Sequence, residues 1–152
     1  MKKYLAIILA AALSLLVSCE NSDPVREALL KRNDSLPAPS AVSYDPVESS
    51  STVLSIYWDA EAALEHGAIH FEIQASTDEY FFDGEGSTLI SKTLAANASP
   101  NDAVMLSGVS ANEEYFVRVS AVYPGPARSE WSFICASDGT PVAVVPGKGP
   151  VR

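Results

Sequence analysis

Two thiols and two imidazoles, Cys19, Cys135, His66 and His70, are the most reactive groups and the best metal ligands in this chain. A nucleophile needs a base placed beside it, and neither histidine accompanies a recognisable serine or cysteine motif. Zinc needs about four ligands of these types at short spacings, which the four residues do not provide. The carboxylate pair Glu113-Glu114 falls on a predicted turn, where nothing buries it for acid–base work. Glycine loops that cradle phosphate are missing as well. The sequence reads as non-catalytic, with no catalytic residue, metal or cofactor to assign.

Cys19 stands apart because of what precedes it. Lys2 and Lys3 are followed by an apolar run from Leu5 to Val17, and Glu20-Asn21-Ser22-Asp23-Pro24 then ends the hydrophobic stretch. A spanning helix needs about 20 apolar residues, so this segment is short for a transmembrane helix and fits an export leader. Leu16-Val17-Ser18-Cys19 resembles the lipobox of bacterial lipoproteins, with an aliphatic residue at minus three and a small one at minus one. The resemblance implies a signal peptide over residues 1–18, cleavage before Cys19 and lipidation of its thiol. An ordinary secretory signal, cut near Ser18, is the competing reading. Two or more buried acyl chains give stable anchoring where one is marginal. The implied partner is the membrane, through lipid on Cys19, and the implied location is the outer membrane, on its surface or its periplasmic face.

Charge narrows the partners further. The chain has 10 Lys and Arg against 19 Asp and Glu, a net charge of −9. Removal of Lys2 and Lys3 with the leader leaves eight basic and nineteen acidic residues, about −11. Phosphate backbones require clustered Lys and Arg, so no nucleic acid is expected as a partner. With Cys19 lipidated, Cys135 has no partner for a disulfide. It is expected to be a small buried hydrophobe near a strand end.

The mature chain divides by composition into a tether over 19–36, a domain over 37–136 and a Pro/Gly-rich flexible tail over 137–152. Within the domain, apolar residues alternate with polar ones between turn residues, the pattern of half-buried strands. Leu54, Ile56 and Trp58 share one face. So do Ile69, Phe71, Ile73 and Ala75, and again Tyr115, Val117, Val119 and Ala121. Val104 and Leu106 mark a shorter strand, and Ser129 to Cys135 a last one. Asp59 to His66 makes one or two helical turns at most. About 100 residues with strands at this spacing predict an all-β, two-sheet sandwich of six or seven strands.

Pro37-Ala38-Pro39, Trp58 and the run from Leu106 to Ala121 resemble a fibronectin type III domain. The resemblance implies a seven-stranded immunoglobulin-like sandwich, with Leu106 and Trp58 in the core. It also implies a tyrosine corner, the Tyr115 hydroxyl bonding to backbone upstream. The turn from Val109 to Glu114 departs from the family in lacking its usual Pro and Gly-Thr. Arg128-Ser129-Glu130-Trp131-Ser132 resembles half of the Trp-Ser-x-Trp-Ser motif of some such domains, with Trp131 placed to stack on Arg118. Leader and domain together resemble lipoproteins of the Bacteroides group. In that group Asp34-Ser35-Leu36 fits an O-glycosylation acceptor at Ser35.

The candidate binding edge is Tyr80-Phe81-Phe82, followed by Asp83-Gly84-Glu85-Gly86. Adjacent strand residues point to opposite faces, so three neighbouring aromatics cannot all enter the core. Either an aromatic edge is presented to a ligand, or two rings close the open end of the sandwich and the third is a lone surface ring. Rings beside acids match sugars, which combine apolar faces with hydroxyl rims. Asp78, Asp83 and Glu85 offer oxygen ligands to calcium, but without the spacing of a known loop they read as solvated carboxylates. The expected function is a membrane-anchored, non-catalytic binding module for a glycan or an envelope protein. The alternative is a structural spacer, or a shortened part of a longer lipoprotein whose tail is an interdomain linker.

Overall fold

The computed structural model describes residues 36–82, 84–97 and 103–151. The leader, Cys19, Ser35 and Asp83 lie outside the described residues. Among the described residues no helix is long and apolar enough to cross a membrane.

The chain forms β1 (Ser40–Tyr44), β2 (Val53–Asp59), a single-turn helix α1 (Glu61–Glu65), β3 (His70–Ser76), β4 (Leu89–Ala95), β5 (Val104–Ser107), β6 (Phe116–Val122) and β7 (Ser132–Phe133). Two short strands follow, β8 (Val144–Val145) and β9 (Gly149–Pro150). The order β1-β2-β5 makes one sheet and β4-β3-β6-β7 a second, while β8 and β9 pair in a small ribbon. All named pairs are antiparallel.

Alternation explains which faces meet. Leu54, Ile56 and Trp58 of β2 turn inward opposite Phe71, Ile73 and Ala75 of β3 and Val117, Val119 and Ala121 of β6, and all are buried. Across β3 and β6 the register sets Phe71 against Ala121, Ile73 against Val119 and Ala75 against Val117. The largest ring thus faces the smallest side chain, which fills the layer without overpacking. Trp58 reaches Phe71 with centroids 5.6 Å apart. Each large side chain so buried contributes about 1.5–3 kcal/mol. Ile69 lies one residue before β3 and is half exposed, so the inward row begins at Phe71.

One side of the sandwich is stitched by its proline-rich entry. Tyr123 donates from its hydroxyl to the Pro37 carbonyl at 2.6 Å, and the Ser132 hydroxyl donates to the Pro39 carbonyl. Leu36, assigned above to the tether, already packs against the core.

Two boundaries differ from the sequence reading. The last strand is not continuous from Ser129 to Cys135, because only Ser132–Phe133 pair regularly with β6. Nor does the domain end at 136 in a flexible tail. After a turn closed by Ala136 N–H on Thr140 O, Val142 N–H donates to Ile134 O, and Val144 exchanges both backbone bonds with Tyr115 at 2.8 and 2.9 Å. Val144 is fully buried. Gly147, in the left-handed region at φ 72°, donates its N–H to the Tyr44 hydroxyl. A side chain would be strained there. The prolines and glycines of this segment shape turns around the apolar run Val142–Val145, which covers the end of the core.

Candidate aromatic binding site

The loop between β3 and β4 carries the candidate edge, and its shape comes from short polar bonds. Thr77 N–H donates to Thr88 O at its base. The Asp78 carboxylate accepts Tyr80 N–H at 2.8 Å, and Ser87 donates from its hydroxyl to Phe82 O at 2.7 Å. Such side-chain bonds to nearby backbone let the chain turn where it would otherwise extend.

The three aromatics are therefore not on a strand, and they divide differently from a two-faced edge. Phe81 is buried at 6% exposure, while Tyr80 and Phe82 are 69% and 68% exposed. Phe81 adopts φ 58°, a conformation that is an outlier for a bulky residue. That twist sends one ring inward and leaves both neighbours outside, with centroids 6.3 Å apart and planes at 37°. Beside them opens a cleft of about 510 Å³ lined by Thr77, Asp78, Glu79, Tyr80, Phe82, Gly84, Glu85, Gly86 and Ser87. The Tyr80 phenol is raised above its usual 10.0 by its hydrogen bond to Glu79, then by the charges of Glu79 and Asp78.

Inward, Phe81 joins an aromatic and cationic stack on the outer face of the four-stranded sheet. The Arg118 guanidinium carbon lies 3.9 Å from the Phe81 centroid and 4.2 Å from that of Trp131. Arg128 lies 5.3 Å from the same indole and pairs with Glu72 at 2.6 Å. Phe133 meets Phe81 edge-on at 6.0 Å. Arg118 is fixed by Gln74, whose Oε1 accepts from both Nε and Nη2. Burial, then the neighbouring Arg128 charge, lowers its pKa below the usual arginine value. Phe81 is thus buried as an anchor for the loop, and the exposed part of the candidate edge is Tyr80 and Phe82. Sequence reasoning missed this because the left-handed backbone at Phe81 has no signature in residue type.

The remaining singled-out residues are dispersed. Tyr115 is fully buried, and its hydroxyl accepts Ser110 N–H at 2.9 Å while donating to Glu113 Oε2 at 2.8 Å. Asn112 takes the left-handed place in this turn at φ 69°, which asparagine tolerates, and Lys148 donates to its side chain. The turn is closed without the family's Pro and Gly. Leu106 and Trp58 are buried in the core. His66 ends α1 with Nδ1 2.9 Å from Ala62 O, and His70 begins β3. Cys135 is exposed rather than buried. Ile134 takes the inward position, and Cys135 lies beyond β7 at an isolated bridge to Pro141. Among the described residues, no three His, Cys, Asp or Glu are grouped to hold a metal ion.

No family model matches the chain, and no curated protein does. Solved structures with which the chain aligns include the following two. A myokine structure aligns at TM-score 0.48 and 20% identity, over 74% of this chain and 98% of that one. The fn3 domain of the human collagen alpha-1(XX) chain, solved in solution, aligns at TM-score 0.42 and 21% identity, over 79% of this chain and 94% of that domain. The antiparallel, all-β fold itself rests on the strand order and register above.

Proposed function

We propose that this chain is an exported, membrane-anchored lipoprotein whose fibronectin type III-like domain is a non-catalytic binding module for a glycan or protein partner at the cell envelope. The domain assignment is supported by the three-plus-four strand arrangement and by the Tyr115 bond across its turn. Anchoring is supported by the lipobox at Cys19. Ser35 is proposed as an O-glycosylated position of the tether.

The observation that carries the binding reading is the pair Tyr80 and Phe82. Two large rings are held in water beside a cleft by a neighbour whose backbone is strained, and strain of about 1–3 kcal/mol persists only where surrounding structure imposes it. Val142, Ala143 and Val144 of the final segment are drawn into the core region, so the segment no longer favours a spacer whose tail is a linker.

The test joins Tyr80→Ala to Phe82→Ala in the full chain and probes it against a glycan array and solubilised envelope proteins. A partner lost by the double variant at unchanged melting temperature supports the module; a partner retained at full affinity moves the site elsewhere. Protease shaving of intact against lysed cells assigns the membrane face. Globomycin, which blocks cleavage at lipid-modified cysteines, should accumulate the uncut form if Cys19 is the anchor.

A further inference from the structure

We propose that the Tyr80–Phe82 cleft binds a cationic side chain, a lysine ammonium or an arginine guanidinium, presented by a basic segment of a partner protein. The inference rests on the binding-module reading and names the ligand chemistry for the same site.

The rings set the first condition. A cation is held by an aromatic face when it lies within about 6 Å of the centroid, and centroids 6.3 Å apart let one cation meet that limit for both rings. The rim sets the second. Asp78, Glu79 and Glu85 line the cleft, and among the described residues no Lys, Arg or His does. Arg118, the cation that touches this loop, is engaged by Phe81, Trp131 and Gln74 and does not line the cleft. The negative field reaches the ring itself, since Glu79 and Asp78 both raise the Tyr80 phenol.

These features discriminate among ligand classes. An anion meets three carboxylates and is repelled. A neutral sugar stacks on the rings and donates hydroxyls to the carboxylates, but leaves their charge unneutralised. A cation meets the rings and neutralises the rim, through ring quadrupole and carboxylate together. Gly84 and Gly86 contribute no side chain to the wall, so the approach is open to a group carried on another backbone. The net charge of −9 favours encounter with a basic partner over a longer range.

The experiment titrates the purified full chain with a short acetylated Gly-Lys-Gly-Lys-Gly peptide, its Gln counterpart and a neutral maltohexaose, following Tyr80 and Phe82 ring resonances by NMR. The lysine peptide should shift both rings and weaken about tenfold between ~20 and ~300 mM NaCl. Tyr80→Ala and Phe82→Ala should each lose about fivefold in affinity. Glu79→Gln with Glu85→Gln should lose at least as much, all at unchanged melting temperature. The inference is overturned if the Gln peptide binds equally well, if the neutralised rim keeps full affinity, or if the lysine peptide moves neither ring. Ring shifts with maltohexaose alone would overturn it while leaving the binding module standing; silence of both rings in this titration and on the glycan and protein panels would remove both.

Discussion

The guanidinium of Arg118 lies over the Phe81 ring, 3.9 Å from its centroid, and so ties the β3–β4 loop to the outer face of β6. With the edge-on contact of Phe133, this contact holds Phe81 against the sheet and sets which way the loop faces. With Phe81 held down, Tyr80 and Phe82 have only solvent to face. The strain at Phe81 and the exposure of its neighbours are therefore one feature, built from residues far apart in sequence.

Arg118→Lys should lower stability by about 1–2 kcal/mol, because an ammonium cannot stack between Phe81 and Trp131 while donating twice to Gln74. Phe81→Ala should cost about 3 kcal/mol and release the loop. Arg128→Lys, on the partly exposed pair with Glu72, should change stability by less than about 0.5 kcal/mol. Urea unfolding of the three variants checks the ranking. Equal stability for Arg118→Lys and Arg128→Lys would mean that the stack contributes nothing.

Val144→Ala should destabilise by about 2 kcal/mol, since two methyl groups leave a fully buried site and a cavity remains. Val145→Ala, half-buried on the other face, should cost less than half as much. Chemical denaturation again provides the measurement. A neutral Val144→Ala would return residues 137–151 to the status of a linker.

The parts of this fold that were legible are those where one face is dry and the other wet. In β2, β3 and β6 each inward residue is apolar and each outward one tends to be polar, so the buried face follows from the spacing. β4 gave no such signal, because Leu89–Ala95 is an edge strand half or fully exposed along its length. The final segment was misread for a different reason. Pro141, Pro146, Gly147 and Gly149 carry the composition of a linker, and only the tertiary pairing of Val144 with Tyr115 makes them turns. At the candidate site, residue type singled out the aromatic cluster, of which Tyr80 and Phe82 are exposed and Phe81 is buried. Which ring turns inward depends on Arg118 and Trp131, which local sequence does not contain.

Cys135 tests the same lesson on a single atom. Its thiol donates to Phe133 O at 3.5 Å and is otherwise exposed. Ellman's reagent should therefore titrate it in the native protein at a rate within about tenfold of that in denaturant, as access and thiolate fraction alone govern the reaction. Protection by several orders of magnitude would restore the buried position that composition implied.

Stability at high pH should report on two phenols. Burial raises Tyr115 and Tyr123 above the usual 10.0, and for Tyr115 the nearby Glu113 adds to it. The unfolded chain then loses these protons before the native one does. Their contribution is intact below about pH 10 and falls as pH rises above it, since the native state binds more protons there. Ionisation also removes the hydrogens that Tyr123 donates to Pro37 O and Tyr115 to Glu113. Tyr115→Phe and Tyr123→Phe should each cost about 1 kcal/mol at neutral pH. The double variant should also lose less of its melting temperature between about pH 9.5 and 11.5 than the parent does. Parallel curves for parent and variant would show that neither buried phenol titrates against folding, and that the alkaline limit lies with other groups.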